Sequence, residues 1–178
     1  DSSSNPIVAR QSAFAAAQAK VVSRLTHYMQ RGRDEDLVNF ISTLNEGLRG
    51  LSLTDPTFCH SYLYNPGGLA GMGFDQIRAK FGDDQFNRQQ QAGAQVVENA
   101  YADVPSYDRA AGAAGVERAA GRLREVLGVE NLNLLGARLP ASVEEARLAC
   151  DGTIAMYQTI LEEENAGLIL RHLFNSVG

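Results

Sequence analysis

The sequence predicts an all-α fold on the strength of three observations. Apolar residues recur at intervals of three and four along most of the chain, which is the spacing of one helix face. Capping residues and prolines stand where these segments begin, and glycines stand where they end. Runs of alternating β-branched residues, the mark of a half-buried strand, are missing. We therefore expect a compact single-domain bundle of about six to seven helices over residues 6–178, preceded by a flexible lead at residues 1–5.

Five helices are predicted in the first half of the chain. Their approximate ranges are 6–31, 34–50, 55–64, 74–81 and 83–101. The second is the most clearly amphipathic, because Leu37, Leu44 and Leu48 fall on one face. Asp34 is its expected N-cap, and Gly50 is its expected end.

Two further helices are predicted in the second half. Their ranges are 106–127 and 142–174, with a kink near residues 165–167 and an apolar connector at 129–139. Ser106 is expected to cap the first, and Ser142 opens the second with a Ser-Val-Glu-Glu capping box. Ala111, Gly115 and Ala119 lie one above another on the first of these helices, so a neighbouring backbone can approach closely there.

The charge pattern excludes several classes of partner. The net charge is −5 and no basic run exceeds two residues, whereas a nucleic-acid surface or a polybasic membrane anchor needs clustered lysine and arginine. Apolar stretches are also shorter than the roughly 18 to 20 residues that span a bilayer. We therefore expect no nucleic-acid partner and no transmembrane segment. Among the basic residues only Lys20 and Lys80 are lysines, a bias that favours a bacterial source with a GC-rich genome.

The two cysteines, Cys59 and Cys150, lie 91 positions apart on different predicted helices. Cys150 shares a helix face with apolar residues and Cys59 follows Phe58, so both thiols are expected to face the interior. A disulfide between them is the favoured interpretation, and the alternatives are two buried free thiols or a nucleophilic Cys59. Because disulfides persist in oxidising compartments, the pair predicts a periplasmic or secreted protein.

Candidates for catalysis or metal binding are few. His27, His60 and His172 occur on separate predicted helices without metal-ligand spacing, and we expect them to lie on the surface. The acidic run at 162–164 fans around a helix, so its three carboxylates cannot share one site. The sequence therefore predicts no catalytic residue, no metal site and no cofactor.

The most unusual segment joins the third and fourth predicted helices. Its candidate contact residues are Tyr62, Tyr64, Asn65, Gly67, Gly68, Met72 and Phe74. The glycines are a weak match to a phosphate-binding loop, because no strand precedes them and no Lys-Ser/Thr pair follows. One interpretation is a plain helix-breaking loop. The other is a displayed surface that recognises a partner protein, since aromatic residues and methionine are enriched at interfaces.

The stretch from Asn65-Pro66-Gly67-Gly68 to Phe74 resembles the glycine-rich turn of helical lytic transglycosylases. Those enzymes place a Glu-Ser element ahead of the turn, and this chain has none there. Glu46 is the upstream acid that the resemblance offers as a candidate. The resemblance implies a cell-wall polymer hydrolase as one possible function, but it assigns no catalytic residue.

Three functions remain open at the level of sequence. The expected one is a non-enzymatic extracytoplasmic protein that binds another protein as an inhibitor, immunity factor, adaptor or assembly component. The alternatives are a small-molecule sensor or carrier, and a cell-wall polymer hydrolase. A cleft with convergent polar groups would favour the enzyme, an enclosed pocket would favour the sensor, and the absence of both would favour the binding protein.

Overall fold

A computed structural model describes residues 24, 27–65, 69, 72–101, 106–133, 135 and 140–176. Within these ranges the protein is all-α, as predicted, and no strand occurs. The described helices are α1 (Asp34–Thr54), α2 (Pro56–Tyr64), α3 (Phe74–Phe81), α4 (Asp83–Asn99), α5 (Arg109–Leu127), α6 (Val129–Leu132), α7 (Val143–Leu161) and α8 (Ala166–Ser176). Helix α6 lies in the predicted connector. The single helix predicted over 142–174 is divided into α7 and α8, which are separated at residues 162–165, just before the predicted kink. Residues 27–30 are helical, while the predicted lead and nearly all of the predicted helix before them lie outside the described residues.

Helix α1 lies at the centre of the bundle. It packs against α2, α4, α7 and α8. Leu37, Ile41 and Leu48 on its predicted apolar face are almost completely buried, and they join the apolar side chains of the surrounding helices in one core. Across the described ranges, no helix combines the length and the hydropathy needed to cross a bilayer.

Helix α1 is longer than predicted. Its predicted stop, Gly50, is exposed with open space around it, and the helix continues to Thr54. It ends at Asp55, whose φ of −150° and ψ of 75° are not helical, because a residue that precedes proline is pushed away from helical geometry. At the other end, Asp34 is the first helical residue rather than the cap, and its carboxylate interacts favourably with the helix dipole.

Helix α5 starts later than predicted. Asp108, rather than Ser106, caps it by accepting hydrogen bonds of 2.9 and 3.0 Å from the amides of the second and third helical residues. The predicted stop at Gly128 is confirmed, and its φ of +74° favours glycine. The predicted cap of α7 is also confirmed, because the Ser142 hydroxyl accepts a hydrogen bond from the amide of Glu145.

The predicted small-residue face of α5 packs closely against α8. A Cβ atom at Gly115 would lie 2.5 Å from Cγ1 of Ile169, and one at Gly112 would lie 2.8 Å from Cβ of His172. Both glycines therefore allow a separation between α5 and α8 that a larger side chain would prevent. Residues 112 and 115 contact residues 172 and 169 respectively, so the two helices run antiparallel.

A disulfide joins Cys59 of α2 to Cys150 of α7, and this confirms the predicted pairing. The two Cα atoms lie 6.1 Å apart, and both side chains are completely buried. The bond links segments separated by 91 positions and holds α2 against α7. The segment that follows α2 is therefore attached to a helix that the disulfide holds in place.

Candidate functional site

The beginning of α2 is joined to the end of α3 through one carboxylate. Asp55 caps α2 by accepting a hydrogen bond of 3.0 Å from the amide of Phe58, and its second oxygen lies 2.5 Å from Nζ of Lys80. The hydrogen bond from the Lys80 ammonium lowers the pKa of Asp55, and the Phe58 amide adds to this. The segment 62–74 therefore begins on α2 and ends on α3, and the Asp55–Lys80 ion pair joins these two helices.

Tyr62 points inward from α2. Its hydroxyl accepts a hydrogen bond of 3.1 Å from Nε2 of Gln89, and its ring packs edge-on against Phe81 with centroids 5.1 Å apart. Burial raises the pKa of Tyr62. Gln89 is itself buried on α4. The Tyr62 hydroxyl is therefore the hydrogen-bond partner of a buried polar side chain.

Tyr64 also points inward, towards α7. Its hydroxyl forms a hydrogen bond with the hydroxyl of Thr153. Nearby, burial raises the pKa of Tyr157 to about 12, and the neighbouring phenols of Tyr64 and Tyr62 add to the shift. Both tyrosines are half-buried, so neither is as fully displayed as the sequence led us to expect. The physical reason is that α2 is covered by neighbouring helices on more than one side.

The histidines differ in their surroundings. His60 is only 2% exposed, and its ring centroid lies 5.3 Å from that of Tyr64, so the expectation of a surface position is wrong for this residue. His27 is exposed, and His172 is half-buried with its ring 6.3 Å from that of Tyr107. In the described part of the chain, no group of three or more histidine, cysteine, aspartate or glutamate side chains could hold a metal ion.

The described residues between α2 and Gly73 lie against the protein. Asn65 is half-buried, and its amide closes α2 by donating a 3.0 Å hydrogen bond to the carbonyl of Ser61. Met72 is half-buried against the core, and its amide donates a 2.9 Å hydrogen bond to the carbonyl of the buried Leu69. The predicted contact residues Gly67 and Gly68 lie outside the described residues.

Phe74 is the predicted contact residue that the structure leaves mostly exposed, at 63%. It begins α3, where the amide of Gly73 donates a 2.8 Å hydrogen bond to Oε1 of Gln76 and so fixes the first turn. The Phe74 ring stands edge-on to the buried ring of Phe86, with centroids 4.9 Å apart and planes at 87°. The candidate site is therefore an aromatic side chain held in a defined position and largely open to solvent.

Three carboxylates that a hydrolase could use form ion pairs with basic side chains. Glu46 lies exposed on α1, with an oxygen 3.3 Å from Nη2 of Arg88. Asp55 has a lowered pKa, the opposite of what a general acid requires. In the acidic run after α7, Glu163 pairs with two arginines of α5 at 3.2 and 2.6 Å. Each of these carboxylates therefore has a basic partner in the folded protein.

Sequence reasoning missed the half-buried tyrosine cluster formed by Tyr62, Tyr64 and Tyr157. A local signal for it existed, because Gln89 lies three residues after Phe86 and three before Ala92 on the inward face of α4. A buried glutamine requires a hydrogen-bond partner. The identity of that partner depends on how α2 and α4 pack, and this is not visible in a local pattern.

Comparison of this chain with protein-family models, curated proteins and solved structures finds no match.

Proposed function

We propose that this protein is not an enzyme and that it acts by binding another protein through the exposed start of α3. The single observation that supports this proposal is Phe74, an aromatic side chain that is 63% exposed yet packed against the buried Phe86. Aromatic residues contribute disproportionately to binding energy, and a pre-positioned ring loses little conformational entropy on binding. An inhibitor, immunity factor, adaptor or assembly component would use such a contact.

We also propose that the protein works in an oxidising compartment, as a periplasmic or secreted bacterial protein. The support is the Cys59–Cys150 bond, because disulfides are rare in reducing compartments. The scarcity of lysine, at Lys20 and Lys80 alone, supports the bacterial assignment. Fusing the full-length gene product to a reporter that is active only after export would test the compartment. A reporter retained in the cytoplasm would contradict it.

Site-specific photo-crosslinking in the source organism tests the binding surface. A photoreactive phenylalanine analogue at position 74 is expected to give one discrete crosslinked product. The matched control places the analogue at Tyr101, which is aromatic, 74% exposed and separated from Phe86 by roughly 20 Å along α4. Discrete products of equal yield at both positions would contradict a specific surface at α3.

The variant Phe74→Ala then measures the contribution of the ring. Binding to the crosslinked partner, once purified, should weaken by about 2 kcal/mol, the increment typical of an interfacial hot spot. The free energy of unfolding should change by no more than about 1 kcal/mol, because the ring is mostly exposed. Tyr101→Ala should leave the affinity unchanged. An unaltered affinity in Phe74→Ala would refute the proposed role.

A further inference from the structure

Helices α5, α7 and α8 surround an apolar cavity of about 120 Å³. Its lining includes Leu123, Ile160 and Ile169, all of which are buried. Met156 and Leu173 are half-buried at its edge, and the cavity is partly open to solvent. The described side chains that line it are aliphatic, apart from Met156, which carries a thioether.

The helix contacts explain why this space exists. Gly112 and Gly115 bring α5 against α8, as described above, and so fix the position of the rest of α5. One turn further along, Ala119 and Ala120 face the cavity with single methyl groups. These short side chains leave the space between α5, α7 and α8 unfilled.

We propose that this cavity binds a compact, uncharged hydrocarbon-like molecule about the size of benzene. An engineered cavity of roughly 150 Å³ lined by leucine, isoleucine and phenylalanine stays free of water and binds benzene or xenon. The present cavity is partly open, but its described lining is of the same apolar kind. A molecule the size of a typical drug needs about 300 Å³ or more, so the ligand must be small. A charged or hydrogen-bonding ligand would lose its hydration without gaining a partner from this lining.

The thioether of Met156 favours the same class of ligand. Methionine is unbranched and polarisable, so it adapts to irregular apolar shapes and makes favourable contacts with aromatic rings. The proposal does not rest on the protein-binding role of Phe74, because that residue lies on α3 and does not line the cavity.

Titration of the purified protein with benzene tests this inference, and phenol serves as the polar comparison of similar shape. Benzene is expected to raise the thermal unfolding temperature in a saturable manner. It should also shift the methyl NMR signals of Ala119, Ala120 and Met156. Phenol should bind about ten-fold more weakly, since its hydroxyl would lose water without finding a partner. Absence of saturable benzene binding, or shifts confined to other methyl groups, would overturn the proposal.

The variant Ala120→Leu is designed to fill the cavity. It should reduce benzene affinity by about ten-fold or more, because the larger isobutyl side chain of leucine occupies the space of the ligand. The matched control is Gly121→Ala, which lies next to it in α5 and has open space around the added methyl group. If Ala120→Leu does not fold, the smaller Ala120→Val provides the same comparison. Benzene affinity that is unchanged in a folded filled variant would refute the site.

Discussion

At the scale of single residues, glycines determine how closely the helices of this bundle approach. Gly112 and Gly115 of α5 contact α8, and Gly167 at the start of α8 contacts α1. A Cβ atom at Gly167 would lie 2.6 Å from the Cα atom of Asp34, so the obstacle there is backbone that cannot rotate away. Gly121 has open space at the corresponding position. Helix α8 is thus held from two sides by glycine contacts.

These contacts predict opposite effects for two substitutions in one helix. Gly115→Ala should lower the free energy of unfolding by about 1 to 3 kcal/mol, because the added methyl group would collide with Ile169. Gly121→Ala should raise it by about 0.5 to 1 kcal/mol, because alanine favours the helix and meets no neighbour. Urea denaturation of both variants measures the difference. Stabilisation by both substitutions would show that α5 and α8 are less closely packed than described.

The buried phenol of Tyr157 predicts a loss of stability at high pH. Its folded pKa is about 12, above the ordinary value of about 10, so the folded state holds this proton more tightly than the unfolded state. The resulting contribution is complete below about pH 10 and declines as the pH rises towards 12. The decline should reach about 2 kcal/mol.

Comparison with Tyr157→Phe isolates this titration from those of other groups. The phenylalanine variant has no phenolic proton to lose, so its free energy of unfolding should fall less steeply between about pH 10 and 12. Urea denaturation at several pH values measures both slopes. Equal slopes for the two proteins would mean that the Tyr157 hydroxyl is accessible to water in the folded state.

At the scale of helices, Asp55 connects two elements that carry the candidate site. Its carboxylate caps α2 and forms an ion pair with Lys80 of α3. Capping satisfies an amide that would otherwise lack a partner, whereas the ion pair is partly exposed and therefore screened by water. The cap should accordingly contribute more to stability than the ion pair.

Three substitutions separate these two roles. Asp55→Ala removes both and should lower the free energy of unfolding by about 1 to 2 kcal/mol. Asp55→Asn keeps a capping oxygen and loses the ion pair, so the expected loss is below about 1 kcal/mol. Lys80→Gln, the matched control, should resemble Asp55→Asn. Chemical denaturation of the three variants provides the test, and a Lys80→Gln effect as large as that of Asp55→Ala would contradict the dominance of the cap.

Local sequence signals predicted most helices because each signal acts on its own neighbours. Asp55 before Pro56 starts α2, and Gly82 separates α3 from α4. Both signals act through local backbone geometry and do not depend on distant residues. The errors arose where two signals competed. Gly50 stood ahead of a stronger stop at Pro56, and the true cap of α5 lay two residues beyond the predicted one. Which of two competing start or stop signals prevails depends on exposure and packing, and a local pattern does not contain that information.

At the scale of the whole molecule, the candidate site was only partly predictable. Phe74 was expected to be exposed and is, because α3 has no buried residue of its own. Tyr62, Tyr64 and His60 were expected on the surface, but packing around a nine-residue helix buries His60 and half-buries the two tyrosines. The disulfide was predictable because the chain contains only two cysteines, so their apolar surroundings indicated one possible pair.

The disulfide carries the last prediction. The double variant Cys59→Ala/Cys150→Ala should lose about 4 to 5 kcal/mol of stability, because cross-linking residues this far apart strongly restricts the unfolded chain. Urea denaturation of the variant and of the oxidised wild type measures this loss. Since both sulfur atoms are completely buried, reductant should act on the wild type only after denaturant is added. The double variant, which has no bond to break, should show no response to reductant. Rapid reduction of the native wild type without denaturant would show that α2 separates from α7 in the folded state. In that case α2 would not hold the neighbouring helix α3 in a fixed position.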